Sequence, residues 1–351
     1  MKLTNTIIIL IQFILVLSII GCVENQNPPP PQHKSEKEKM ILDLSGQWKF
    51  SIGDDMKWKE KTFNDNSWEK VNVPSSWENQ GFQGYDGYAW YRTSFKLTPN
   101  VAAKDLYLVL GYVDDVDQTF INGNLIGISG GFPDNYQTAY NAFRKYYIPK
   151  EYLNKDGENV IAVRVYDAEL DGGIMSDEIG LYTYEDGFEP DINLYGIWDF
   201  KTGDDSSFLK NNRNDSSSVK LMVPAHWDIQ GYNDYDGFAW YKKTFFLPKD
   251  FASESMILLM GKIDDIDQTF VNSILVGSTG RWNFEKIPTE FNNNDEYQTN
   301  RVYSVPQKLL KFGETNTISV RVYDGFQLGG IYEGPVGLIT QNNYKKYFGK
   351  K

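Results

Sequence analysis

The sequence YDGYAWYRTSF at residues 85–95 occurs almost unchanged as YDGFAWYKKTF at residues 235–245, 150 positions later. GYVDDVDQTFING at 111–123 and GKIDDIDQTFVNS at 261–273 keep the same offset. The later pair VIAVRVYD (160–167) and TISVRVYD (317–324) is offset by 157 positions. This period is too long for a solenoid repeat, so each copy is predicted to be a whole domain.

Two domains are therefore predicted, at residues 41–186 and 191–341 of the 351-residue chain. The change of offset places a net seven-residue insertion in RWNFEKIPTEFNNNDEYQTN, residues 281–300, which has the composition of a loop. The connection EDGFEPDIN at 185–193 is short, so we expect the two copies to pack together or lie close to each other.

Each copy contains short segments rich in Val, Ile and Tyr that are separated by turn residues, which is typical of β-strands. Asn122-Gly123 suits a two-residue hairpin turn with positive φ. Asn272-Ser273 lacks the glycine, and a less tight turn is expected there. No convincing helical periodicity is found. The fold is therefore predicted to be all-β, with two tandem β-sandwiches of jelly-roll type.

Composition excludes several classes of function. The formal net charge of −12 argues against nucleic acid as a partner, because phosphate backbones select basic surfaces. A single cysteine rules out an intramolecular disulfide, and two histidines are too few for a histidine-rich metal site. Neither a phosphate-binding loop nor a nucleophile-elbow motif occurs.

Residues 1–21 have the pattern of a signal peptide. Lys2 precedes an apolar run, Ile7–Ile20, that is short for a transmembrane helix. The run ends in Ile-Ile-Gly before Cys22, which resembles the lipobox of bacterial lipoproteins and implies cleavage before this cysteine and its acylation, for example by palmitate. An ordinary signal peptide with a chance cysteine is the alternative.

Residues 22–40 are predicted to form a flexible tether, because four consecutive prolines favour polyproline II and the remainder is polar. Residue 23 is Val rather than Asp, so the inner-membrane retention rule of some bacteria does not apply. The expected location is the outer membrane or cell surface, with lipid anchoring through Cys22.

As a set, the repeated motifs resemble the N-terminal sugar-binding domain of glycoside hydrolase family 2, a galactose-binding-like jelly roll. In the first copy they are Gly46 with Trp48, Val73-Pro74 with Trp77, Gly87 with Trp90-Tyr91-Arg92 and Phe95, Ile121-Asn122-Gly123, and Ile161 to Val165. The second copy supplies Gly196 with Trp198, Val223-Pro224 with Trp227, Gly237 with Trp240-Tyr241-Lys242 and Phe245, Val271-Asn272, and Ile318 to Val322. The family's catalytic (β/α)₈ barrel needs about 250 residues, and only about ten follow the second copy. The resemblance therefore implies a sugar-binding accessory fold and does not extend to the hydrolase activity.

The carboxylates of DDVDQ, residues 114–118, allow four interpretations. Two of them could form a general acid and base pair, or they could hold a structural Ca²⁺, the one cofactor considered. They could also contact ligand hydroxyls, or cap backbone N–H groups and pair with arginine at a strand edge. Strand alternation predicts that Asp115 and Asp117 share one face and that Asp114 points to the other.

The segment VRVYD places Val163 and Val165 on the predicted core face, with Arg164 and Tyr166 opposite. Arg164 is expected either to pair with a carboxylate of DDVDQ or to contact sugar hydroxyls or a uronate. Arg144 and Arg301 are predicted to lie in loops, where a rigid sandwich can present them to a ligand.

Sugar rings stack on aromatic side chains and need planar polar partners for their hydroxyls. Alternation along the strand after Gly87 predicts that one of Trp90 and Tyr91 is buried, and Trp90 is assigned to the core. The aromatic and acidic side chains of the preceding loop, Tyr85, Asp86 and Tyr88, are predicted to be exposed. Trp77 and Trp227 could belong either to the core or to the sugar site. The carbohydrate-binding candidates are Trp77, Tyr85, Asp86, Tyr88, Arg144, Arg164, Asp167, Trp227, Tyr235, Asp236, Phe238, Arg301, Arg321 and Asp324.

The leading hypothesis is a non-catalytic carbohydrate-binding surface lipoprotein that serves a bacterial polysaccharide-utilisation system. Its expected partners are a polysaccharide or oligosaccharide, the membrane through the lipid anchor, and other surface glycan-utilisation proteins. Two alternatives remain: a glycan-processing enzyme related to glycoside hydrolase family 2, and an adaptor that docks another surface protein.

Overall fold

The structure is a computed structural model, and it describes residues 37–175, 179–185, 188–210, 217–282 and 295–349. Within these residues the chain forms two β-sandwiches of antiparallel strands, so the predicted all-β fold is confirmed. The signal peptide, Cys22, most of the tether and most of the insertion at 281–300 lie outside the described residues. In the described part of the chain, none of the helices has the length and apolar character needed to cross a membrane.

The first sandwich contains three sheets. A four-stranded sheet has the order β1-β13-β6-β10, a six-stranded sheet the order β3-β2-β5-β11-β8-β9, and a small sheet the order β4-β12-β7. The strands are β1 (Lys37–Asp43), β2 (Gly46–Ile52), β3 (Glu69–Val73), β4 (Ser75–Ser76), β5 (Gly87–Lys96), β6 (Leu106–Gly111), β7 (Val113–Asp114), β8 (Val116–Ile121), β9 (Asn124–Ser129), β10 (Arg144–Ile148), β11 (Glu158–Asp167), β12 (Gly173–Ile174) and β13 (Gly180–Glu185), with one helical turn, α1 (Pro99–Ala102).

The second sandwich repeats this arrangement with a four-stranded sheet, β14-β23-β18-β21, and a six-stranded sheet, β16-β15-β17-β22-β19-β20. Its strands are β14 (Ile192–Asn193), β15 (Gly196–Thr202), β16 (Val219–Val223), β17 (Gly237–Leu247), β18 (Met256–Asp264), β19 (Ile266–Val271), β20 (Ile274–Thr279), β21 (Arg301–Val305), β22 (Glu314–Asp324) and β23 (Gly330–Thr340). Short 3₁₀ turns occur at Met56–Lys59, Glu78–Gln80, Lys150–Tyr152, Ser206–Leu209, Asp228–Gln230, Lys249–Phe251, Asp295–Gln298 and Gln307–Leu309.

Alternation along β11 and β5 decides which side chains form the core between the sheets. Val163 and Val165 lie in the core of the first sandwich, as predicted. Tyr91 lies in the same core, but Trp90 is equally buried in a separate cluster on the outer face of the six-stranded sheet. The prediction that only one of the pair is buried is wrong, because Trp58 and its neighbours in the β2–β3 connection cover the outer face.

The hairpin between β8 and β9 has the predicted two-residue turn, with positive φ at Asn122 (50°) and Gly123 (84°). The second copy has an equally short turn, with φ of 48° at Asn272 and 69° at Ser273. The expectation of a less tight turn is therefore wrong. Asn272 Nδ2 donates hydrogen bonds to Leu309 O and an asparagine side chain, and these bonds hold the turn without glycine.

The helix α2 (Gln341–Phe348) follows β23 directly and was missed by the sequence analysis. Thr340 caps its first turn by accepting a hydrogen bond from the Asn343 N–H at 3.2 Å. Tyr344 is buried in a small apolar cluster on the outer side of the four-stranded sheet. A helix of eight residues with one buried aromatic has too few turns to show a helical period.

The two sandwiches contact each other. Gly130 N donates a hydrogen bond to Ile229 O at 2.6 Å, and Asn135 Nδ2 donates one to Gly231 O at 2.7 Å. Met222 of the second sandwich belongs to the apolar cluster that forms the first core. The contact therefore combines polar and apolar groups from both copies.

Lys243 is a partly buried cation near this contact, and its Nζ donates a hydrogen bond to Ile197 O at 2.8 Å. Burial lowers its pKa to about 8, against the opposing charges of Glu151 and Asp199 and with a contribution from Lys220. The unfolded chain has the ordinary lysine pKa of about 10.4, so it binds more protons than the folded chain between pH 8 and 10. Lys243 therefore contributes a term to the free energy of unfolding that increases with pH in this window.

We expect the free energy of unfolding of the wild type to increase by about 2 kcal/mol relative to Lys243→Met between pH 7 and pH 10. Urea unfolding of both proteins across this range measures the difference. Lys308→Met, at an exposed lysine, is the charge-matched control. A difference between wild type and Lys243→Met that does not change with pH would contradict the assignment.

Candidate functional site

Each sandwich gathers three aspartates at one end of its six-stranded sheet. The first acidic trio consists of Asp114, Asp115 and Asp167, and in it one ligand atom from each carboxylate lies within 4.8 Å of the others. The second acidic trio consists of Asp264, Asp265 and Asp324 and has the same geometry. The third member of each trio ends the VRVYD strand and is fully buried.

The trios correct the predicted alternation within DDVDQ. Asp114 ends β7 and Asp115 falls between β7 and β8, so the break in the strand turns both carboxylates toward Asp167. Asp117, in β8, points into the interior instead. Asp114 and Asp115 therefore belong to the first acidic trio, whereas Asp117 is a carboxylate of the interior.

Asp115 is the best-satisfied carboxylate of the first acidic trio. Its Oδ1 accepts a hydrogen bond from Thr138 Oγ1 at 2.5 Å, and its Oδ2 accepts one from the Ala168 N–H at 3.0 Å. Burial opposes ionisation, but these two bonds and one from Tyr136 outweigh it and lower the pKa of Asp115. This carboxylate is therefore ionised at neutral pH.

Four other carboxyl groups of the trios have a pKa above the ordinary value of aspartate. Burial, with the hydrogen bond and charge of Asp115, raises the pKa of Asp114 to about 7. Burial and the same charge raise the pKa of Asp167 to about 7. In the second trio the same causes raise the pKa of Asp264 to about 8 and that of Asp324 to about 7. Like charges this close in a poorly solvated place cannot all ionise without cost.

Arg144 and Arg301 were predicted to be loop residues that face a ligand, and the structure corrects this. Arg144 begins β10, is completely buried, and its Nε donates a hydrogen bond to Asp117 Oδ1 at 2.9 Å. Its other nitrogens donate to the carbonyl oxygens of Ala139, Ala142 and Asp115. Arg301 makes the same bonds to Asp267 and its neighbours. Both guanidinium groups are part of the interior and offer nothing to a ligand.

Trp77 and Trp227, for which core and site were both open, are core residues with no exposed surface. Trp77 Nε1 donates a hydrogen bond to Tyr85 O at 3.1 Å, and Trp227 makes the same bond to Tyr235 O at 3.2 Å. Tyr85 and Tyr235 were predicted to be exposed but are half-buried, packing against the two cores. Their hydroxyls donate to the carbonyl oxygens of Tyr88 and Phe238, so both tyrosines brace the loop.

Arg164 and Arg321 lie on the outer face of the six-stranded sheets, as predicted, but in DDVDQ and its repeat they bond the glutamine, Gln118 or Gln268, rather than a carboxylate. Arg164 Nε donates a hydrogen bond to Asp54 Oδ1 at 2.7 Å, and its guanidinium lies 4.7 Å from the ring centroid of Tyr88. Arg321 bonds Asp204 in the same way and lies 4.8 Å from the ring of Phe238. The sequence analysis missed both aspartates, although GDD at 53–55 and at 203–205 keeps the offset of 150.

An aromatic surface adjoins the first acidic trio. Tyr136 is 41% exposed, its hydroxyl lies close enough to Asp115 for each group to shift the pKa of the other, and its ring centroid lies 5.6 Å from that of Tyr166. Tyr166 packs against Tyr88 at 4.8 Å. Gly87 pairs with Asp167 at the end of the sheet. Asp86 directly precedes this strand and is exposed in the neighbouring loop. We call the first trio together with Tyr136 and Tyr166 the acidic–aromatic end.

The matching end of the second sandwich is described in part. Asp236 is exposed in its loop, where its charge contributes to raising the pKa of Asp324 after burial and Asp265. Tyr323 packs against Phe238 at 4.8 Å. At the offset of 157 that relates Arg144 to Arg301, the position that corresponds to Tyr136 is residue 293, which lies outside the described residues.

A polar cleft of about 550 Å³ lies elsewhere, on the outer face of the first six-stranded sheet. Asp65 in its wall pairs with Lys49 and, at 2.8 Å, with Arg92. Trp48 is buried, and the Arg92 guanidinium lies 5.6 Å from the ring centroid of Phe63. The cleft therefore offers no free aromatic face, and the acidic–aromatic end is the better candidate for a sugar.

Residues 53–171 match a family model described as the beta-galactosidase second all-beta domain. A putative beta-glucuronidase from Formosa agariphila is 29% identical over 145 residues, which are 38% of this chain and 13% of that protein. Beta-galactosidase BoGH2A from Bacteroides ovatus is 26% identical over 152 residues, 40% of this chain and 17% of that protein. The predicted resemblance to glycoside hydrolase family 2 is confirmed, and the aligned part spans under a fifth of these relatives.

Among solved structures, Bacteroides uniformis beta-glucuronidase aligns with 83% of this chain and 28% of its own, at 15% identity and a TM-score of 0.35. A further beta-glucuronidase of glycoside hydrolase family 2 aligns with 84% of this chain and 28% of its own, at 13% identity and a TM-score of 0.37.

Proposed function

We propose that this chain, whose β-domains resemble those of glycoside hydrolase family 2, is a non-catalytic carbohydrate-binding protein. Its ligand is a polysaccharide or an oligosaccharide cut from one, and it serves a bacterial polysaccharide-utilisation system. The observation that carries the proposal is the acidic–aromatic end, where the half-exposed Tyr136 ring lies beside the carboxyl groups of the first acidic trio.

The chemistry of this end suits a neutral sugar. One face of a pyranose is apolar and packs on a tyrosine ring, while its hydroxyls donate to carboxylates and accept from protonated carboxyls. Asp115 supplies an ionised acceptor at neutral pH, and Asp114 beside it, whose pKa is raised to about 7, is present in both protonation states. The surrounding negative charge disfavours a uronate or a sulfated ring, so the preferred ligand is an uncharged glycan.

The location is part of the same proposal. Acylation of Cys22 would hold the two sandwiches at the outer membrane or cell surface, and the proline-rich tether would keep them off the bilayer. Two weak sites on one tethered chain would reinforce each other on a polymeric glycan through effective concentration. Other surface glycan-utilisation proteins are the expected neighbours.

Affinity electrophoresis through gels that contain soluble polysaccharides tests the proposal. We expect at least one neutral polysaccharide to retard the wild-type chain and Tyr136→Ala to bind at least tenfold more weakly, a loss of about 1.4 kcal/mol. Tyr136→Phe keeps the ring and should retain most of the affinity. Tyr347→Ala removes a comparably exposed tyrosine from the C-terminal helix and is the matched control. Indifference to every glycan tried would instead support an adaptor.

A second candidate, a glycan-processing enzyme, rests on one observation. Asp114 and Asp115 are neighbouring carboxyls whose pKa values are pushed in opposite directions, as in acid and base pairs. Reducing-sugar release that is abolished by Asp115→Asn would support this candidate. Retardation in the gel without any release would exclude it for that glycan.

A further inference from the structure

The acidic trios contain a polar atom that the fold leaves without a partner. Asp167 and Asp324 are fully buried, and Oδ2 of each accepts no hydrogen bond in the structure. Burying a carboxylate oxygen without a partner is costly, and folded proteins avoid it in most cases. The same atom is left unpaired at the same place in both sandwiches, which indicates a function for that atom.

The charges facing the first trio do not neutralise it. The charge of Arg144 acts on Asp114, but the nitrogens of its guanidinium are bonded to Asp117 and to three carbonyl oxygens. Glu78 and Asp171 add further negative charge from neighbouring loops. In the second trio, Asp228 and Asp236 do the same. Each trio is therefore a concentration of carboxylate oxygens, one of them fully buried and without a hydrogen-bond partner, to which neighbouring residues add further negative charge.

We propose that each sandwich binds one calcium ion through its acidic trio. Calcium takes carboxylate and carbonyl oxygens at 2.3–2.6 Å, so oxygens on opposite sides of the ion lie about 4.6–5.2 Å apart. The observed separations within 4.8 Å fit one such coordination sphere. Magnesium, with bonds of 2.0–2.1 Å and a demand for octahedral geometry, fits a smaller sphere and is expected to bind more weakly.

In the interpretation of DDVDQ as a calcium site, Asp117 is one of the predicted ligands. The structure replaces it with Asp167, which comes from β11 rather than from the same motif. The ion would therefore join the β7–β8 break to the end of β11. It would fix the loops that carry Tyr136 and Asp86.

Titration calorimetry of the metal-free full chain with calcium chloride tests the proposal. We expect two ions per chain, with a Kd on the order of 10⁻⁴ M, the range of extracellular calcium modules. Asp167→Asn and Asp324→Asn should each remove one ion, and the double variant both. Calcium should also raise the melting temperature of the wild type by several degrees, and that of the double variant not at all.

Two controls keep the test decisive. Asp156→Asn with Asp250→Asn removes one exposed aspartate from each sandwich and should leave both ions bound. If Asp167→Asn or Asp324→Asn fails to fold in chelator, Asp114→Asn with Asp264→Asn, at half-exposed positions, replaces them. No binding at about 10 mM calcium, roughly a hundred times the expected Kd, would overturn the proposal, as would two ions bound to the double variant. Sugar binding is measured separately, so either proposal can fail alone.

Discussion

Replacing Arg144 with methionine is expected to lower the free energy of unfolding of the first sandwich by about 3–5 kcal/mol. The change leaves Asp117 as a buried charge, bonded to Tyr146 and Thr119 but facing no cation. It also removes the donor from three carbonyl oxygens, among them Asp115 O. Urea unfolding followed by tryptophan fluorescence measures the loss.

The second sandwich provides the matched experiment. Arg301→Met should cost the second sandwich a similar amount, because Arg301 repeats every bond of Arg144. Arg164→Met breaks a partly exposed pair with Asp54 and should cost about 1 kcal/mol or less. If Arg144→Met were no more harmful than Arg164→Met, the buried pair would not be the structural element that we describe.

Trp77→Ala is expected to destabilise the first sandwich by about 3–5 kcal/mol through the cavity that it leaves. The indole packs against Phe50 and Tyr91, with ring centroids 5.7 and 6.4 Å away. It also packs against Gly172, where an added Cβ would lie 2.1 Å from Trp77 Cζ2. The measurement is again the urea midpoint.

Gly172→Ala tests the same contact from the other side. Because the indole is held by three rings and a hydrogen bond, it cannot move away, and we expect Gly172→Ala to destabilise the sandwich as well. Gly329→Ala against Trp227 is the equivalent change in the second copy. A Trp77→Ala protein that unfolds like the wild type but loses glycan binding would contradict the assignment of Trp77 to the core and would indicate that it contacts the ligand.

Most of the fold can be predicted from the sequence, because the repeated motifs contain the patterns of its strands and turns. The short β-patterns predict the sandwich, Asn122-Gly123 predicts a hairpin, and VRVYD separates a core face from an outer face. These features depend on local periodicity and turn chemistry, which neighbouring residues decide. The all-β fold and the family resemblance follow from them.

The candidate site could not be predicted in the same way, because its residues are far apart in the sequence and meet only in the folded protein. Arg144 and Asp117 are 27 positions apart, and their bond requires the positions of β8 and β10 relative to each other. Asp167 joins Asp114 because β11 ends beside the β7–β8 break. Repetition of GDD near Asp54 was the one usable signal for the partner of Arg164. Tyr136 lies in DNYQT at 134–138, which recurs as DEYQT at 295–299 with an offset of 161 that differs from those of the other repeated motifs.

The most direct test of the proposed function is calorimetric titration of the chain with an oligosaccharide prepared from a polysaccharide that retards it. We expect saturable binding by the wild type, loss of the first-sandwich site in Tyr136→Ala, and its retention in Tyr136→Phe. Unchanged affinity and stoichiometry in Tyr136→Ala, with the fold intact by circular dichroism, would contradict the assignment of the acidic–aromatic end as the sugar site.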